Sequence, residues 1–295
     1  MHTHRFKENI LGSLANRLSV RATCVRTVHG AAETAAHTFS QRALAAADRW
    51  CGSHLQDRII AVTPALATQL AAHYPKEKLV IIENGIDIET VRIAGRAPAT
   101  TPFDPAHTHI GIVGRLTAVK RVDLFLQTAA MLRQQDPGRR WQFHLFGEGP
   151  LRQSLMKQAE MLGLNDVTCF HGHRNDVAAC IARLDVLIMC SDHEGLPMTL
   201  LEAMALGSTI VGHAVGGIDQ LLQGGLHGWP VADHTAAGYA QGVRDALVDP
   251  AMKAARARAA TTHVERYYSA ALSAERHLTL YSQLLSAPEA AASPS

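Results

Sequence analysis

From about residue 108 to about residue 214 the chain alternates between short apolar runs and longer segments with helical periodicity. HIGIVGR (109–115) is typical of a buried strand, and the apolar residues of 119–135 recur every three or four positions, as on one face of a helix. Such strict alternation implies right-handed crossovers and a parallel sheet that is covered on both faces. We therefore expect a doubly wound α/β domain over 108–262. Its further elements are predicted strands at 141–147, 167–172, 185–191 and 208–214 and predicted helices at 151–163, 176–184 and 199–207.

The first part of the chain, residues 1–93, carries a weaker form of this alternation. Three strands with two helices make a poor free-standing domain, because most sheets have more strands and both edges would be open. Residues 94–107 contain three prolines and little apolar content, which is typical of a linker. The small, polar tail 287–295 is expected to be disordered. The predicted elements of the first part are helices at about 7–18 and 31–50 and strands at 20–30, 57–63 and 78–85.

Composition excludes several classes of protein. The chain is 47% apolar and 18% charged, so it is not disordered as a whole, and a formal net charge of +2 does not predict a nucleic-acid binder. No apolar run is long enough to span a membrane, and the first residues lack the apolar core of a secretion signal. The five cysteines include no C-x-x-C pair, so we expect free thiols and a cytoplasmic protein. Residues 1–60 are mildly basic, which leaves open peripheral association with the inner face of a membrane.

Two cations follow the first strand of the predicted 108–262 domain. In a doubly wound sheet, ligands bind beyond the carboxyl ends of the strands, so the residues there are candidate ligand contacts. Gly114 permits a tight turn, Arg115 leaves the strand end, and Lys120 lies in the first turn of the next helix. Because cations are disfavoured at the start of a helix, the pair indicates that an anion occupies this place. The alternative is a pair of solvated side chains.

A second candidate contact follows the strand predicted at 185–191. Pro197 suits the first turn of a helix, Gly195 lets the backbone approach a ligand closely, and the free amides at the helix start can bind an anion. Glu194 lies in the loop before this helix. Glu202 lies within the helix among apolar residues, where a carboxylate needs partners such as ligand hydroxyls. The alternative makes Glu194 an ordinary capping acid and Glu202 a surface residue.

Together these residues describe a site for a nucleotide diphosphate that carries polyols. The diphosphate would lie between the cations and the helix amides, and hydroxyls would meet the two carboxylates. Gly216-Gly217 adds a third turn with exposed backbone at the same edge. The 17 histidines do not favour a metal site. The candidate ligands His2-x-His4, His171-x-His173 and His193 lack both the H-E-x-x-H motif and a third ligand at helical spacing.

Four segments, in order along the chain, resemble the retaining glycosyltransferases of family 4. These enzymes have the GT-B fold, in which two Rossmann-like domains face each other across a cleft. The resemblance covers about residues 20–285 and implies a complete C-terminal Rossmann-like domain, a truncated N-terminal one, and a C-terminal helix at 263–286 that crosses back to the first domain. The segments are NGID (84–87), VGRLTAVKRVD (113–123), FGEGPLR (146–152) and EGLPMTLLEAMALG (194–207).

One departure from the family pattern is large. In the family, a strand with a Gly-rich loop and several more strand–helix units precede the segment that TVHG (27–30) resembles. This chain starts at Met1 in what resembles the last part of that domain. The alternatives are a fragment or mis-started reading frame, and a chain that folds with an incomplete first domain.

The resemblance also implies roles for single residues. Arg115 and Lys120 would bind the donor's diphosphate and stabilise it as it leaves. Glu194 would bind hydroxyls of the transferred sugar, and Glu202 would bind those of the ribose. His29 matches the histidine that the family's first domain contributes near the sugar. The remaining donor-binding positions are Gly114, Gly195, Leu196, Pro197 and Met198, together with His171 and Arg174 in the 171–176 segment that would line the base pocket.

We therefore expect a metal-independent hexosyltransferase without a cofactor. It would move a sugar from a nucleoside diphosphate sugar to an acceptor hydroxyl and keep the anomeric configuration. Family habits imply a sugar or lipid-linked acceptor in cell-envelope polysaccharide or glycolipid synthesis. The alternative is a non-catalytic nucleotide-sugar binder. A GT-B epimerase or phosphorylase would need acid–base carboxylates or a cofactor lysine of its own, and the sequence offers neither.

Overall fold

A computed structural model of the protein describes residues 1–19, 22–30 and 39–286. The chain divides into two compact units. The first unit is Met1–Gly85 together with the chain from Ala270 onward, and the second is Ile86–Ser269. The tail at 287–295 and most of the first half of the helix predicted at 31–50 lie outside the described residues.

The first unit contains a four-stranded parallel sheet in the order β1-β2-β3-β4, which follows the order of the chain. Its apolar core joins Val25 and Ile60 of the sheet to Ile82 and Leu280. The elements are β1 (His2–Thr3), α1 (Phe6–Leu18), β2 (Val25–Val28), α2 (Phe39–His54), β3 (Arg58–Ala61), α3 (Pro64–Leu70), β4 (Leu79–Ile81) and the C-terminal helix α12 (Ala270–Ser286).

The second unit contains a six-stranded parallel sheet, and the doubly wound pattern predicted for it is confirmed. Each strand and helix predicted between 108 and 214 is present, with boundaries that differ by a few residues. The elements are α4 (Ile88–Arg96), β5 (Thr108–Val113), α5 (Val122–Gln135), β6 (Trp141–Phe146), α6 (Arg152–Met161), β7 (Thr168–Gly172), α7 (Val177–Ile181), β8 (Val186–Met189), α8 (Met198–Ala205), β9 (Ile210–His213), α9 (Gly216–Leu222), β10 (Trp229–Val231), α10 (Ala236–Val248) and α11 (Pro250–Tyr267).

The strand order of the second sheet, β10-β9-β8-β5-β6-β7, determines where a ligand can bind. From β5 the chain first moves outward to β6 and β7, and then returns to place β8, β9 and β10 on the other side. The connections after β5 and β8 therefore leave the sheet in opposite directions and open a crevice between them. Such a reversal point at the carboxyl ends of the strands is where doubly wound sheets bind ligands.

Two predicted boundaries differ from the structure. The linker predicted at 94–107 begins inside α4, because the Asp87 side chain accepts a hydrogen bond from the Thr90 amide at 3.0 Å and caps a helix that runs to Arg96. The helix predicted over 263–286 is two helices. The chain breaks at Tyr268, whose carbonyl accepts a bond from the Ile86 amide at 2.9 Å. Within the described ranges, no helix is long and apolar enough to cross a membrane.

Candidate functional site

The crevice at the strand reversal collects the cations predicted from the sequence. It lies at the carboxyl ends of β5 and β8, and its lining includes Gly114, Arg115, Lys120 and Ser191. The β5 segment supplies the first three and the β8 segment the last. Residues that are far apart in the sequence therefore meet at one place in the fold.

Glycines fit the loops of this crevice against one another. A Cβ atom on Gly147, which has a φ of 136°, would lie 1.9 Å from the carbonyl oxygen of Gly114. A Cβ on Gly149 would lie 2.4 Å from the carbonyl oxygen of Leu116. Since such distances are far inside van der Waals contact, the GEG sequence after β6 is what lets the β5 loop take its position.

The glycine pair after β9 has the same role for the loop after β8. The Gly217 amide donates to the Glu194 carbonyl at 3.1 Å, and a Cβ on Gly217 would lie 1.8 Å from the carbonyl oxygen of Gly195. Gly216 has a φ of 51°, and a Cβ on it would lie 2.4 Å from the carbonyl oxygen of Glu194. The Gly216-Gly217 turn thus packs against the loop 191–195 (the acidic loop) and holds Glu194 at the crevice.

Lys120 and Glu194 form an ion pair, although the resemblance gives them different ligand groups. The Lys120 ammonium donates to Glu194 Oε1, and the Ser191 hydroxyl donates to the same oxygen at 2.7 Å. The Glu194 side chain is only 13% exposed, so the pair lies in a partly desolvated place. The charges of Lys120 and Glu194 therefore offset each other in this structure.

Arg115 differs from Lys120 in having no counter-ion. Its side chain is exposed, and no described residue offers its guanidinium a carboxylate or another acceptor. A cation at the end of a central strand, next to the start of helices, is thus left to interact with a ligand. This agrees with the anion predicted for the site.

Helix α8 begins at Met198, directly behind the acidic loop. Pro197 takes the N-cap position, one place earlier than the first-turn position predicted for it, because its ψ of 114° is extended. Its carbonyl accepts from the Leu200 amide at 3.0 Å. The amides of Met198 and Thr199, like those at any helix start, have no acceptor within the helix and can bind an anion. Leu196 is buried and anchors the loop, whereas Met198 is exposed.

Glu202 lies in the second turn of α8 and is half-buried. Its neighbours Leu201 and Ala203 are fully buried, and burial raises the pKa of the Glu202 carboxyl. Among the described residues, none donates a hydrogen bond to this carboxylate. A half-buried carboxylate without a protein partner is the arrangement that a ligand with hydroxyl groups would complete.

His171, predicted to line a base pocket, ends a chain of three imidazoles across β5, β6 and β7. His109 Nδ1 lies 2.9 Å from His144 Nε2, and His144 Nδ1 lies 2.9 Å from His171 Nε2. The chain starts at the Asp104 carbonyl, 2.8 Å from His109 Nε2. Burial, together with the two neighbouring imidazoles, lowers the pKa of His144 to about 3, so this ring is neutral.

The Asp104 carbonyl determines which nitrogen of each imidazole donates a hydrogen bond. Because it can only accept, a neutral His109 donates to it through Nε2 and must accept through Nδ1. The same reasoning carries along the chain, so that His171 donates through Nε2 and keeps Nδ1 as an acceptor. Sequence reasoning did not single out His109 or His144, and the only signal was a histidine in each of two apolar strands.

Arg174, the other residue predicted for the base pocket, is bound within its own loop. Its guanidinium donates to both carboxylate oxygens of Asp176, each at 2.8 Å. Asp176 also accepts from Thr100, and these bonds hold the pKa of its carboxyl well below the usual range. The structure therefore gives Arg174 a role in shaping the 171–176 loop.

His29 belongs to the first unit and lies just after β2. Its Nε2 is 3.2 Å from Nδ1 of His4, whose ring stacks on that of His2. Burial and the neighbouring His4 lower the pKa of His29. The structure thus places this predicted residue in an imidazole cluster at the ends of β1 and β2. Among the described residues, no group of three or more His, Cys, Asp or Glu side chains could hold a metal ion.

Comparison with solved structures defines the class of fold. The Anabaena protein HepE, solved in complex with UDP and glucose, superposes with a TM-score of 0.81 at 19% identity, over 95% of this chain and 78% of that one. Sucrose-phosphate synthase from Thermosynechococcus elongatus gives a TM-score of 0.79 at 20% identity, over 97% and 73%. Together with the two parallel sheets, these likenesses show the Rossmann-like GT-B fold, as predicted.

The family follows from the sequence comparisons. The model of glycosyl transferases group 1 matches residues 98–263, more than half of the chain, and the model of glycosyltransferase family 4 matches residues 1–90. The chain belongs to the group 1 glycosyl transferases, which confirms the resemblance.

Curated relatives include the D-inositol 3-phosphate glycosyltransferase of Streptomyces avermitilis, 31% identical over 223 residues (71% of this chain and 48% of that protein). Another is the glycogen synthase of Mycobacterium tuberculosis H37Rv, 32% identical over 185 residues (62% and 43%). The chain thus spans about half the length of the curated relatives that it matches.

Proposed function

We propose that this protein transfers a glycosyl group from a nucleoside diphosphate sugar to an acceptor hydroxyl, with the anomeric configuration retained. One observation carries the proposal. At the strand reversal of the second unit, the crevice is lined by Arg115, which has no counter-ion among the described residues, and by Lys120, which is paired with Glu194. Helix α8 presents its free amides behind this crevice. An anion with attached hydroxyl groups is the ligand whose charge and hydrogen bonds match this set.

The cations would act on the leaving group. When the bond to the sugar breaks, negative charge develops on the diphosphate, and fixed positive groups stabilise that charge most. A cation about 4 Å away contributes up to ~4 kcal/mol at an effective dielectric constant near 20, before desolvation is counted. Arg115 can provide this without breaking an existing pair. Lys120 would have to divide its ammonium protons between Glu194 and the phosphate.

The carboxylates would bind hydroxyl groups on either side of the diphosphate. Glu194 is held by Ser191 and Lys120, so it can accept from a sugar hydroxyl in a defined place. Glu202 would accept from the ribose diol, which would supply the partners that its half-buried carboxylate lacks. HepE was solved with UDP and with UDP-glucose, which supports a uridine nucleotide as the first donor to test.

The remaining parts of the proposal come from the family. His29 would contact the transferred sugar, and the cations with the helix amides would take the place of a metal ion. The acceptor would be a sugar or a lipid-linked sugar of the kind used in cell-envelope polysaccharide or glycolipid synthesis.

Calorimetric titration with UDP, CDP, ADP and GDP, followed by an assay of UDP-sugar turnover, tests the proposal. We expect one nucleoside diphosphate to bind the parent chain and its sugar derivative to be hydrolysed or transferred. Failure of all four to bind would overturn the proposal. Binding without turnover of any donor would instead support the non-catalytic binder.

A further inference from the structure

Two residues of the second unit take a backbone conformation that L-amino acids rarely adopt, and both contact the same carboxylate. Arg121 has φ and ψ of 47° and 44°, and His234 has a φ of 50°. Among the described non-glycine residues, only Gln223 shares this left-handed conformation. Since the conformation is unfavourable for residues with a Cβ, its occurrence next to a binding site indicates a function for the side chains held there.

The shared partner of Arg121 and His234 is Asp192, in the loop between β8 and α8. Arg121 Nη1 donates to Asp192 Oδ1 at 3.1 Å, and His234 Nε2 lies 3.0 Å from the same oxygen. Arg121 is itself oriented by Asp123, whose Oδ1 accepts from Nε at 3.0 Å. The two donors come from different parts of the sheet, since Arg121 precedes α5 and His234 follows β10.

Further contacts connect this group to the residues that line the crevice. The His234 ring stacks on His213 with centroids 3.6 Å apart, and His213 Nδ1 donates to the Ser191 carbonyl at 2.8 Å. The Asp192 amide donates to the Val119 carbonyl at 2.8 Å. Ser191 and Asp192, at the start of the acidic loop, are therefore held in place three and two positions before Glu194.

We propose that Arg121, Asp192 and His234 form a clasp that positions the 191–195 loop for a nucleoside diphosphate. The inference rests on the proposed function, because it assumes that this loop binds the donor. These three are positioning residues, which act through Ser191 and Glu194. Asp192 is negatively charged and would repel a diphosphate. Its removal should therefore weaken diphosphate binding if the clasp positions the loop, and should strengthen binding if only the repulsion matters.

The experiment is titration with UDP, which has no transferred sugar that Asp192 could contact directly. Asp192→Ala should weaken UDP binding about tenfold, the loss expected when a charge-assisted hydrogen bond no longer holds the loop. Asp192→Asn keeps an oxygen acceptor for both donors and should restore much of the affinity. Asp245→Ala, which removes an exposed negative charge from α10, should leave the affinity unchanged. The Asp192 side chain is 47% exposed, so its replacement is compatible with folding.

A second pair of variants separates the side chain from the backbone conformation. His234→Gly and Gln223→Gly both replace a left-handed residue by glycine, but only the first removes a clasp side chain. UDP affinity should fall about five- to tenfold for His234→Gly and stay within about twofold for Gln223→Gly.

The outcomes distinguish the two proposals. If the parent chain binds UDP and Asp192→Ala binds it equally well or more tightly, the clasp is overturned and electrostatic repulsion explains Asp192. Equal losses in His234→Gly and Gln223→Gly would also overturn it. If the parent chain binds no nucleoside diphosphate, the proposed function fails, and the clasp with it.

Discussion

The two units have parallel sheets of the same kind, but the ends of their strands carry different chemistry. In the first unit, β1 and β2 lead to His4 and His29, whose rings contact each other, and burial lowers the pKa of His29. In the second unit, β5 and β8 lead to Arg115 and Glu194, with Lys120 beside them. Imidazoles can exchange hydrogen bonds with an uncharged group, whereas a guanidinium without a carboxylate partner among the described residues favours an anion. Both sheets place side chains at the carboxyl ends of their strands, and the charges of those side chains determine which ligands can bind there.

Strand order adds to this difference. The described strands of the first sheet follow the chain without a reversal, so they contain no point at which two connections diverge. The second sheet reverses at β5, and the crevice lies there. Anion binding is therefore expected to depend on the second unit.

Arg115→Ala should have the largest effect. Because Arg115 is the crevice cation without a counter-ion among the described residues, its loss removes charge stabilisation that nothing else provides. Donor turnover by an active form should fall roughly 10²–10³-fold, as for removal of one preorganised donor. Steady-state kinetics with the parent's best donor would measure this.

Two controls make the Arg115 test specific. Arg258→Ala removes an exposed arginine of α11 and should change turnover by less than about twofold. His29→Ala should leave the affinity for UDP unchanged, because the histidine belongs to the other sheet. A loss of UDP affinity for His29→Ala equal to that for Arg115→Ala would contradict the comparison.

Gly217→Ala should have the next largest effect. Its Cβ would lie 1.8 Å from the Gly195 carbonyl oxygen, so the acidic loop has to move. A displacement of about 1 Å in a positioning element can lower activity about 10²-fold. Gly138→Ala meets only a side-chain oxygen at 3.9 Å and should behave like the parent in the same assay. Equal activity of the two variants would show that the loop does not depend on this glycine.

Glu202→Gln should weaken UDP binding about tenfold, because an amide is a poorer acceptor for the ribose diol than a carboxylate. The same change should raise thermal stability at neutral pH. Burial raises the pKa of Glu202 above its ordinary value of 4.5. At pH values above this raised pKa, the ionised carboxylate lowers the stability of the folded chain, and glutamine avoids this loss.

The stability gain of Glu202→Gln should therefore disappear as the pH falls below 4.5, where the Glu202 carboxyl is protonated in both the folded and the unfolded parent chain. Melting curves between pH 8 and 4 would follow it. Glu160→Gln, at an exposed position of α6, serves as the control and should change neither affinity nor stability. A Glu202→Gln variant that is less stable than the parent at neutral pH would argue for a protein partner of the carboxylate.

His144→Phe should have the smallest effect, visible as a change in pH dependence. The pKa of His144 is lowered from 6.5 to about 3, so the unfolded chain binds more protons between these values and the parent loses stability as the pH falls. Phenylalanine keeps the stacking on Phe146 but loses the hydrogen bonds to His109 and His171. The variant should melt about 2–4 °C lower at neutral pH, with a difference that shrinks towards pH 5.

His173→Phe, at an exposed position directly after the neighbouring strand β7, is the matched control for His144→Phe. It should melt with the parent at both ends of this pH range. A parallel fall of stability in the parent and in His144→Phe would assign the acid sensitivity to another group.

Sequence reasoning found the second unit well because its signals are local. The buried runs of β5 and β8 and the glycine-rich loops are each readable within a few residues, and parallel strands bring their ends together automatically. The helix α4 had a readable signal as well, since Asp87 precedes Thr90 at capping distance, but the prolines that follow suggested a linker. The two-residue strand β1 is too short for any periodicity.

The pairings within the site could not be predicted in the same way. Lys120 and Glu194 are 74 positions apart, and their contact depends on how two loops are placed on adjacent strands. The His109–His144–His171 chain depends on strand register and on a shift in the β6–β7 pairing after Leu145. The left-handed conformation of Arg121 has no signature in residue type, since glycine or asparagine would be expected there.

The glycine contacts around the crevice have a consequence for how proteins of this design can change. The backbones after β5 and β6 touch at Gly147 and Gly149, and those after β8 and β9 touch at Gly217. An inserted or deleted residue in one of these connections would therefore displace the connection that it touches. Loop length is therefore a poor source of variation here. New specificities are expected to arise by exchanging side chains that follow β8, such as the partly exposed His193 or the exposed Met198, while the backbone stays unchanged. These two positions are therefore the natural targets for libraries that seek other donors.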